Sequence, residues 1–168
     1  MAGLPDNRDD FSTCDLCDAH KHELGTRFFV VPPVFRDLGG VHRFSGIVAT
    51  VQCFEDNSLV KAALDEPGHG RILVVDGGAS LSRALVGGNV AAAAAKNGWA
   101  GVVVNGAVRD VAELAATQVG IRALALIPIP TEKRNQGERD VAVQIQGVWV
   151  RPGDTLYADA DGIVILRA

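Results

Sequence analysis

The spacing of apolar residues changes repeatedly between strand-like and helix-like along the middle of the chain. Residues 44–54 alternate in polarity, and the apolar positions on one face of this predicted strand are Ile47, Ala49, Val51 and Cys53. Continuous apolar runs predict three further, buried strands at 71–75, 100–104 and 121–127. Helices are predicted around these runs, from Asp56 or Asn57 to about Asp65, from Asn89 to Lys96 and from Val111 to Ala116.

The two ends of the chain differ from this middle part. A short helix is predicted from Cys14 to about Leu24, whereas residues 1–11 are polar and acidic and are expected to form a flexible tail. Residues 131–139 form a polar loop whose cations, Lys133 among them, are expected to be solvated. After residue 140 only strand-like alternation is found, with turn residues between the segments, which predicts a C-terminal β meander. The sequence therefore predicts one α/β domain over residues 12–168.

The bulk composition narrows the class of protein. The chain has 168 residues, of which 48% are hydrophobic, and this is enough to bury a core. The net charge of −4 and the lack of a long basic run argue against general binding to nucleic acid. No apolar run approaches the ~20 residues of a membrane span. Three cysteines in a chain of this length, behind a polar N-terminus, favour a reducing cytoplasm.

The stretch from Val86 to Asp110 carries the strongest functional pattern. Gly87 and Gly88 precede a helix of small residues, whose first amides have no intrahelical partner and carry the positive end of the helix dipole. Such a helix end beside bare glycine is suited to an anion. If the strand that follows packs antiparallel to the helix, Arg109 and Asp110 return to the same rim as the glycines. We therefore predict that this rim binds a small carboxylate and a divalent metal.

Asp110 also has a purely structural interpretation. Asp110 and Glu113 fit the capping-box pattern, in which the acid caps the helix at 111–116. In the functional interpretation, Asp110 holds a metal while Arg109 makes a forked pair of hydrogen bonds to a carboxylate. The two interpretations are compatible, because a capping carboxylate keeps further lone pairs.

Two other patterns are weaker. Cys14 and Cys17, with His20 and His22 nearby, are candidate zinc ligands. Their spacing, however, does not match that of paired zinc knuckles. A helix with two thiols packed inward is expected instead. The segment Asp76-Gly77-Gly78 follows a strand in the manner of a nucleotide loop, but it does not fit the pattern G-x-G-x-x-G. A bend that permits close approach of two backbones is expected there.

Several blocks of sequence, taken in order, point to one family. They are residues 44–46, 51–57, 73–78, 105–110, 137–141 and 156–163. Through these blocks residues 12–166 resemble the RraA-like proteins, a family of ribonuclease E regulators and class II 4-hydroxy-4-methyl-2-oxoglutarate aldolases. The family motif G-x20-R-D-x2-E/D falls on Gly88, Arg109, Asp110 and Glu113.

The resemblance implies a fold and a set of site residues. The implied fold is a central β-sandwich or barrel flanked by helices, similar to swivelling domains and assembled as a homotrimer. The resemblance implies that the pyruvyl part of a 2-oxo acid is held by the Arg109 side chain and by the backbone of Gly87, Gly88, Asn89 and Val90. Asp110 would anchor Mg²⁺ or Mn²⁺, largely through water. Arg109 and Asp110 are then the expected catalytic residues.

The implied reaction is cleavage of a 4-hydroxy-2-oxo acid to pyruvate. Cleavage leaves electrons on a pyruvate enolate, whose charge a Lewis acid and fixed positive groups stabilise, and water is expected to accept the hydroxyl proton. Decarboxylation of oxaloacetate passes through the same enolate and is expected as a side activity. Longer aldolases of the family carry an acid near the position of Gly88, so decarboxylation is expected to be retained better than aldol cleavage here.

Two other functions are compatible with parts of the sequence. The first is a protein-binding module that inhibits ribonuclease E-type RNA degradation through a protein partner, without direct contact to nucleic acid. Family members that act purely as regulators can lack the acid after the arginine, so the presence of Asp110 favours an enzyme. The second is a small methyltransferase, against which the short chain and its β-rich C-terminal half argue.

Overall fold

The computed structural model of the protein describes residues 10–168. Its helices are α1 (Thr13–His20), α2 (Ser58–Leu64), α3 (Gly88–Lys96) and α4 (Val111–Ala116). Its strands are β1 (Phe28–Val30), β2 (Arg36–Asp37), β3 (Phe44–Gln52), β4 (Ile72–Asp76), β5 (Ala84–Val86), β6 (Gly101–Val108), β7 (Gly120–Leu126), β8 (Glu138–Arg139), β9 (Val143–Ile145), β10 (Val148–Val150), β11 (Thr155–Asp159) and β12 (Gly162–Leu166). Of the predicted tail, residues 1–9 lie outside the described residues, and Phe11 at its end packs edge-on against Tyr157.

Four parallel strands, in the order β3, β4, β6, β7, form the centre of a mixed ten-stranded sheet. Antiparallel strands extend the sheet on both sides, with β11, β12 and β1 beyond β3, and β2 beyond β7. Because the central strands are parallel, their carboxyl ends share one edge, which is where α/β sheets usually bind ligands. β5 reaches the same edge by pairing in parallel with the last part of β6.

The continuous apolar runs of the central strands are explained by burial on both faces of the sheet. In β4, Leu73 and Val75 pack in a core that includes the apolar side chains of α2, α3 and α4. Ile72 and Val74, which point the other way, pack in a second core together with side chains of the C-terminal strands. Helices α2, α3 and α4 therefore cover one face of the central strands, and side chains of the C-terminal strands pack on the other.

Strand β3 is long because it belongs to both halves of the sheet. Its first part pairs antiparallel with β11, from Phe44 to Ile47, and its second part pairs in parallel with β4, from Val48 to Gln52. The predicted apolar face is correct for Ala49 and Val51, which are buried, but wrong for Ile47, which is 49% exposed. Ile47 lies in the antiparallel half of the strand and is not part of the core beneath the helices.

Most predicted elements are found, with differences at their ends. α4 spans the predicted residues, whereas α1 ends at His20 and is followed by a single 3₁₀ turn rather than continuing to Leu24. β6 is longer than the strand predicted at 100–104, since it continues to Val108 with a shift of register after Val104. The short strands β1, β2 and β5 were not predicted, because two or three residues are too few to show a period.

The structure confirms the predicted fold class. One α/β domain is formed, in which a mixed sheet is flanked by a few helices. The predicted meander is present as two hairpins, of which β11–β12 joins the main sheet and β9–β10 forms a separate pair.

None of the helices within residues 10–168 combines the length and the apolarity needed to cross a membrane.

Candidate active site

A cavity of about 180 Å³ opens at the carboxyl edge of the parallel strands. It is lined by residues from four connecting segments: Asn57, Lys61, Ala84, Gly87, Gly88, Asn89, Val90, Arg109, Asp110, Pro130, Thr131 and Lys133. The structure therefore brings together every residue that the sequence analysis placed in the site.

A larger cavity, of about 510 Å³, contains none of these residues. It lies near the amino ends of β3 and β4, with Phe11, Ile47 and Tyr157 in its largely apolar wall. If volume were the only criterion, this larger cavity would be the candidate active site. The 180 Å³ cavity is the better candidate because its polar and charged groups converge on a small volume.

The start of α3 and the end of β6 are joined by a hydrogen bond across the site. The N–H of Gly88 donates to Oδ2 of Asp110 at 2.8 Å, although 22 residues separate the two positions. The backbone of Gly87 is extended, with φ −127° and ψ −168°, so unusual torsion angles do not explain its glycine. Space explains it, because a Cβ there would lie 2.8 Å from Oδ2 of Asp110 and 3.3 Å from Nε of Arg109.

Asp110 precedes α4 but does not cap it. Its backbone is left-handed, with φ 64° and ψ 49°, and its side chain makes no hydrogen bond to the first turn of the helix. The predicted capping box is therefore wrong, because the turn directs the Asp110 carboxylate towards Gly88 instead. Asp110 is exposed, so an ion can reach its carboxylate from solvent.

Arg109 is half-buried and its backbone is fixed on the same rim. Its N–H donates to the carbonyl of Val86 at 2.9 Å, which ties the end of β6 to the end of β5. Its guanidinium makes a long hydrogen bond of 3.4 Å to the carbonyl of Pro128. Among residues 10–168 it forms no ion pair, so most of its donors are available to a ligand.

Helix α3 contributes its positive end to the cavity. Asn89 and Val90 line the cavity from the first turn, where backbone N–H groups have no intrahelical carbonyl to bond. The helix ends as predicted, with Asn97 at the C-cap and Gly98 at φ +79°. The start of α3 and the Arg109 side chain thus supply adjacent donors for an anion.

Glu113 lies beside Gly88 but does not line the cavity. The Glu113 carboxylate occupies the place that a Cβ of Gly88 would take, and its Cδ would lie 2.8 Å from that atom. The motif glycine and the motif acid are therefore in direct contact, although Glu113 itself does not line the cavity. Any larger residue at position 88 would have to displace this carboxylate.

Besides the apolar Ala84 and Pro130, four polar or charged lining residues were not predicted as site residues: Asn57, Lys61, Thr131 and Lys133. Asn57 accepts a hydrogen bond from Thr131 Oγ1 at 2.8 Å and donates to the carbonyl of Leu85 at 3.1 Å. This links the segments after β3 and β7 to β5 itself around the cavity. A usable signal was present in the sequence, because each of these residues follows a predicted strand of the central sheet.

Asp56 anchors the loop that carries Thr131 and Lys133. Its Oδ2 accepts hydrogen bonds from the N–H groups of Arg134 and Gln136, at 2.9 and 3.1 Å. Burial raises the pKa of Asp56, but these bonds and those from Ser58 outweigh it and lower the pKa to about 2. The polar sequence around Lys133 predicts a solvated surface residue, whereas this anchored loop places Lys133 on the cavity.

The donor set suits a magnesium-like ion better than zinc. Within residues 10–168 no three His, Cys, Asp or Glu side chains converge on a common metal position, so a zinc cage is not formed there. Mg²⁺ keeps most of its waters and needs only one or two protein carboxylates. Asp110 offers one exposed carboxylate whose direction is fixed by Gly88. The residues therefore fit a hydrated Mg²⁺ or Mn²⁺.

The weaker sequence patterns have structural explanations. Cys17 is half-buried but Cys14 is exposed, so the expectation that both thiols pack inward is wrong for Cys14. After β4, the N–H of Gly77 donates to the carbonyl of Asn105 at 3.1 Å, and a Cβ at Gly77 would lie 2.5 Å from Leu85. The glycine segment thus serves close packing of two backbones, as predicted.

Comparison with known proteins bears on this site. A family model described as "RraA-like: Aldolase/RraA" matches residues 13–165. A relative from Albidiferax ferrireducens is 64% identical, with 92% of this chain and 94% of the relative covered, and it carries the name "Putative 4-hydroxy-4-methyl-2-oxoglutarate aldolase". A relative from Cupriavidus necator with the same name is 56% identical, with 91% and 93% covered.

Two solved structures with the same fold carry names that differ from those of the aldolase relatives. The RNA-processing inhibitor RraA of Thermus thermophilis has a TM-score of 0.88 and 47% identity, covering 93% of this chain and 92% of that protein. A Geobacillus kaustophilus protein named S-adenosylmethionine: 2-dimethylmenaquinone methyltransferase also has a TM-score of 0.88, with 41% identity and 94% and 95% covered. These names cover three activities on one fold, so activity has to be argued from the site.

Proposed function

The chain belongs to the RraA-like family, and we propose that it is a divalent-metal-dependent lyase. The proposed reaction cleaves 4-hydroxy-2-oxo acids of the 4-hydroxy-4-methyl-2-oxoglutarate type to pyruvate, with decarboxylation of oxaloacetate as a side activity. The observation that carries this proposal is the hydrogen bond from Gly88 to Asp110, which unites a helix N-terminus, a guanidinium and an exposed carboxylate on one cavity.

Arg109 and the start of α3 are suited to the pyruvyl group. The planar guanidinium can hold the substrate carboxylate through two parallel hydrogen bonds. The first-turn N–H groups of α3, at Asn89 and Val90, add fixed donors next to it. Because Arg109 is fixed by β5 and the helix is rigid, these positive groups need little rearrangement as negative charge develops on the substrate.

Asp110 is the proposed metal ligand. A bound Mg²⁺ or Mn²⁺ would supply a Lewis acid for the keto oxygen. Asp110 contributes by presenting its carboxylate in a fixed direction, since the left-handed turn and the Gly88 N–H determine where Oδ2 lies. The strain of a left-handed aspartate, about 1 kcal/mol or more, is consistent with a functional constraint on this residue.

Both proposed reactions form the same enolate of pyruvate, but they differ in proton transfer. Decarboxylation of oxaloacetate loses CO₂ and needs no base to form the enolate, whereas aldol cleavage must also remove a hydroxyl proton. At position 88, where an acid could serve that purpose, this chain has a glycine packed against Glu113. We therefore propose that decarboxylation is the faster of the two reactions in this protein.

The test is release of pyruvate from oxaloacetate in the presence of Mg²⁺. We expect chelation by EDTA to abolish turnover and added Mg²⁺ or Mn²⁺ to restore it. Asp110→Ala is expected to reduce kcat/KM by about 100-fold or more, because a lost fixed electrostatic group typically costs that much. Asp15→Ala, which removes an exposed carboxylate on α1, is the matched control. Metal-independent turnover by Asp110→Ala would contradict the proposal.

The proposed assembly is a homotrimer, with contacts on the edge of the sheet that carries the site. Three exposed apolar side chains belong to segments at this edge: Phe54 at 65%, Leu81 at 50% and Ile129 at 42% exposure. Apolar side chains exposed together on one face are typical of an interface. This arrangement supports association through the active-site edge.

We also propose that the protein acts in the cytoplasm.

A second candidate function is supported by the name of one structural relative. The Thermus thermophilis protein, 47% identical, is named an RNA-processing inhibitor. If this chain inhibits a ribonuclease E-like enzyme by binding it, the interaction does not need Arg109 or Asp110. A pull-down with ribonuclease E that survives Arg109→Ala and Asp110→Ala would favour this function, and the lack of binding at micromolar concentration would exclude it.

Methyl transfer is not proposed for this chain, despite the name of the Geobacillus kaustophilus relative. Of the glycines after β4, Gly77 is accounted for by its packing against Asn105 and Leu85, and Gly78 by its positive φ of 66°. Calorimetry with S-adenosylmethionine provides the test, and we expect no heat of binding.

A further inference from the structure

Strand β6 changes its neighbour shortly before it reaches the active site. On one side its last pair with β4 joins Asn105 to Asp76, and from Ala107 onward that side pairs with β5. On the other side its register with β7 shifts between Val104 and Ala107, where β6 contains one residue more than β7. An extra residue of this kind forms a β-bulge, which redirects the strand that follows it and is common beside active sites.

Asn105 lies in this bulge and is held through its backbone and its side chain. The residue is buried, and its carbonyl accepts hydrogen bonds from the N–H groups of Gly77 and Ala79, both at 3.1 Å. Its Nδ2 donates to Oδ1 of Asp76 at 3.3 Å. Its Oδ1 accepts a hydrogen bond from Nε2 of Gln146 at 2.9 Å. The bulge is therefore fastened to the end of β4 and to the hairpin formed by β9 and β10.

Gln146 is an unusual residue for its place in that hairpin. Gln146 and Gly147 form the two-residue turn between β9 and β10, and both have left-handed backbones, with φ 47° and 82°. Turns of this kind favour asparagine, aspartate or glycine at the first position, because these residues tolerate left-handed angles. The longer side chain of Gln146 spans the distance from the turn to Asn105. This contact accounts for a residue that the turn by itself disfavours.

The segment that joins the bulge to the active site is tightly packed. The side chains of Ala107 and Val108 are 0% exposed, and the N–H of Arg109 is bonded to β5. A Cβ at Gly106 would lie 3.2 Å from Cδ1 of Leu85. Because a close-packed segment transmits strain, a displacement at the bulge is passed on to the residues at the rim of the cavity.

We infer that Gln146 is a positioning residue of the active site, whose hydrogen bond to Asn105 fixes the bulge and so sets the direction of Arg109 and Asp110. Gln146 does not line the active-site cavity, and its hairpin packs in the core on the face opposite the helices. The expected effect on turnover rests on the proposed function. The expected effect on the position of Asp110 does not.

The first experiment observes the position of Asp110 without metal or substrate. The N–H of Gly88 donates to Oδ2 of Asp110, so the NMR resonance of this amide proton reports the hydrogen bond. Gln146→Met keeps the length of the side chain but removes its amide group. We expect the Gly88 resonance to shift upfield in Gln146→Met, because the bond to Asp110 lengthens and weakens. Gln144→Met, the same change at an exposed position of β9, is the control and is expected to leave the resonance in place.

The second experiment measures turnover of oxaloacetate with Mg²⁺ present. Gln146→Met is expected to lower kcat/KM by about tenfold or more, since small displacements of groups in a site cost that much. Gln144→Met is expected to stay within about twofold of wild type, because its side chain is exposed and makes no contact with the bulge.

Gln146→Asn separates positioning from stability. Asparagine followed by glycine is favoured in this kind of turn, so Gln146→Asn is expected to unfold at a higher urea concentration than Gln146→Met. Its side chain is one methylene shorter and does not reach Asn105, so its kcat/KM is expected to be as low as that of Gln146→Met. If Gln146→Asn regains activity as it regains stability, Gln146 serves stability alone and the inference is refuted.

The remaining outcomes distinguish this inference from the proposed function. If Gln146→Met leaves the Gly88 resonance and turnover unchanged, or shifts the resonance no more than Gln144→Met does, the positioning role is refuted while the lyase proposal stands. If wild-type protein releases no pyruvate but the Gly88 resonance shifts in Gln146→Met alone, the lyase proposal fails while the positioning of Asp110 stands.

Discussion

Two glycines flank helix α3, and each is needed for a different physical reason. Gly87, before the helix, has an extended backbone that any residue can adopt, but the carboxylate of Asp110 and the side chain of Arg109 leave no space for a Cβ. Gly98, after the helix, has open space around it but a backbone at φ +79°. Gly87 therefore leaves the space that the Asp110 and Arg109 side chains occupy in the site, whereas Gly98 permits the left-handed backbone at the end of the helix.

Because of this difference, alanine at position 87 is expected to affect activity, and alanine at position 98 is expected to affect stability. Gly87→Ala is expected to lower kcat/KM for oxaloacetate by about tenfold or more, because the new methyl group displaces Arg109 and Asp110. Gly98→Ala is expected to lower the free energy of unfolding by about 1 kcal/mol and to leave turnover unchanged, because only the helix end is strained. Steady-state kinetics and urea unfolding measure the two effects. Equal loss of activity in both variants would contradict this account.

At the scale of elements, the site depends on how loops at the carboxyl edge are fastened to each other. Asp56 and Asn57, at the start of α2, bind the loop after β7 through its backbone N–H groups and through Thr131. This loop has two residues of regular strand, at β8, and otherwise no secondary structure of its own. Hydrogen bonds to the two residues before α2 therefore help to hold this loop, and Lys133 with it, at the cavity.

The lowered pKa of Asp56 makes this fastening dependent on pH. An ordinary aspartate has a pKa of about 3.9, and in the folded protein the pKa of Asp56 is about 2. A lowered pKa stabilises the fold above the unfolded value, and this stabilisation, about 2 kcal/mol, is lost as the pH falls from 4 through 2. Asp56→Asn is therefore expected to be less stable than wild type at pH 7.

Urea unfolding between pH 2 and pH 7 measures this effect. The difference in free energy of unfolding between wild type and Asp56→Asn is expected to shrink as the pH falls towards 2. Asp140→Asn, which changes an exposed carboxylate, is the control and is expected to show no such trend. A difference that is independent of pH would mean that the Asp56 carboxylate is not stabilised by its hydrogen bonds.

At the scale of the whole molecule, the sheet edge that carries the site is also where apolar side chains are exposed. Phe54 is the most exposed large apolar side chain of the described residues, and it packs against the bare backbone of Gly78. It follows β3 at the carboxyl edge. Removing its ring therefore tests whether this edge is an interface without disturbing the core.

We expect wild-type protein to sediment as an oligomer of its 17.6 kDa chain. Phe54→Ser is expected to shift the protein towards the monomer, because the ring is the largest apolar group on this edge. Trp149→Ser, which removes a 51% exposed aromatic side chain on the β9–β10 hairpin, is the control. Analytical ultracentrifugation measures both. A monomeric wild-type protein, or equal effects of the two substitutions, would refute association through this edge.

The sequence by itself determined the fold class, most of the helices and strands, and the family. This was possible because burial on both faces of the central strands leaves continuous apolar runs, and because the motif residues Gly88, Arg109, Asp110 and Glu113 are separated by fixed distances along the chain. The sequence also predicted that Arg109 and Asp110 share a rim with the glycines, which follows from the return of a strand after a helix.

Only the tertiary structure decided what these residues touch. The capping box was a sound prediction from spacing, but the left-handed turn at Asp110 and the N–H of Gly88 redirect the carboxylate. Lys61 and Lys133 are 72 positions apart and come from unrelated local patterns, and no period or motif connects them. They line the same cavity because parallel strands bring loops from distant parts of the chain to one edge, and this arrangement is set by the packing of the whole domain.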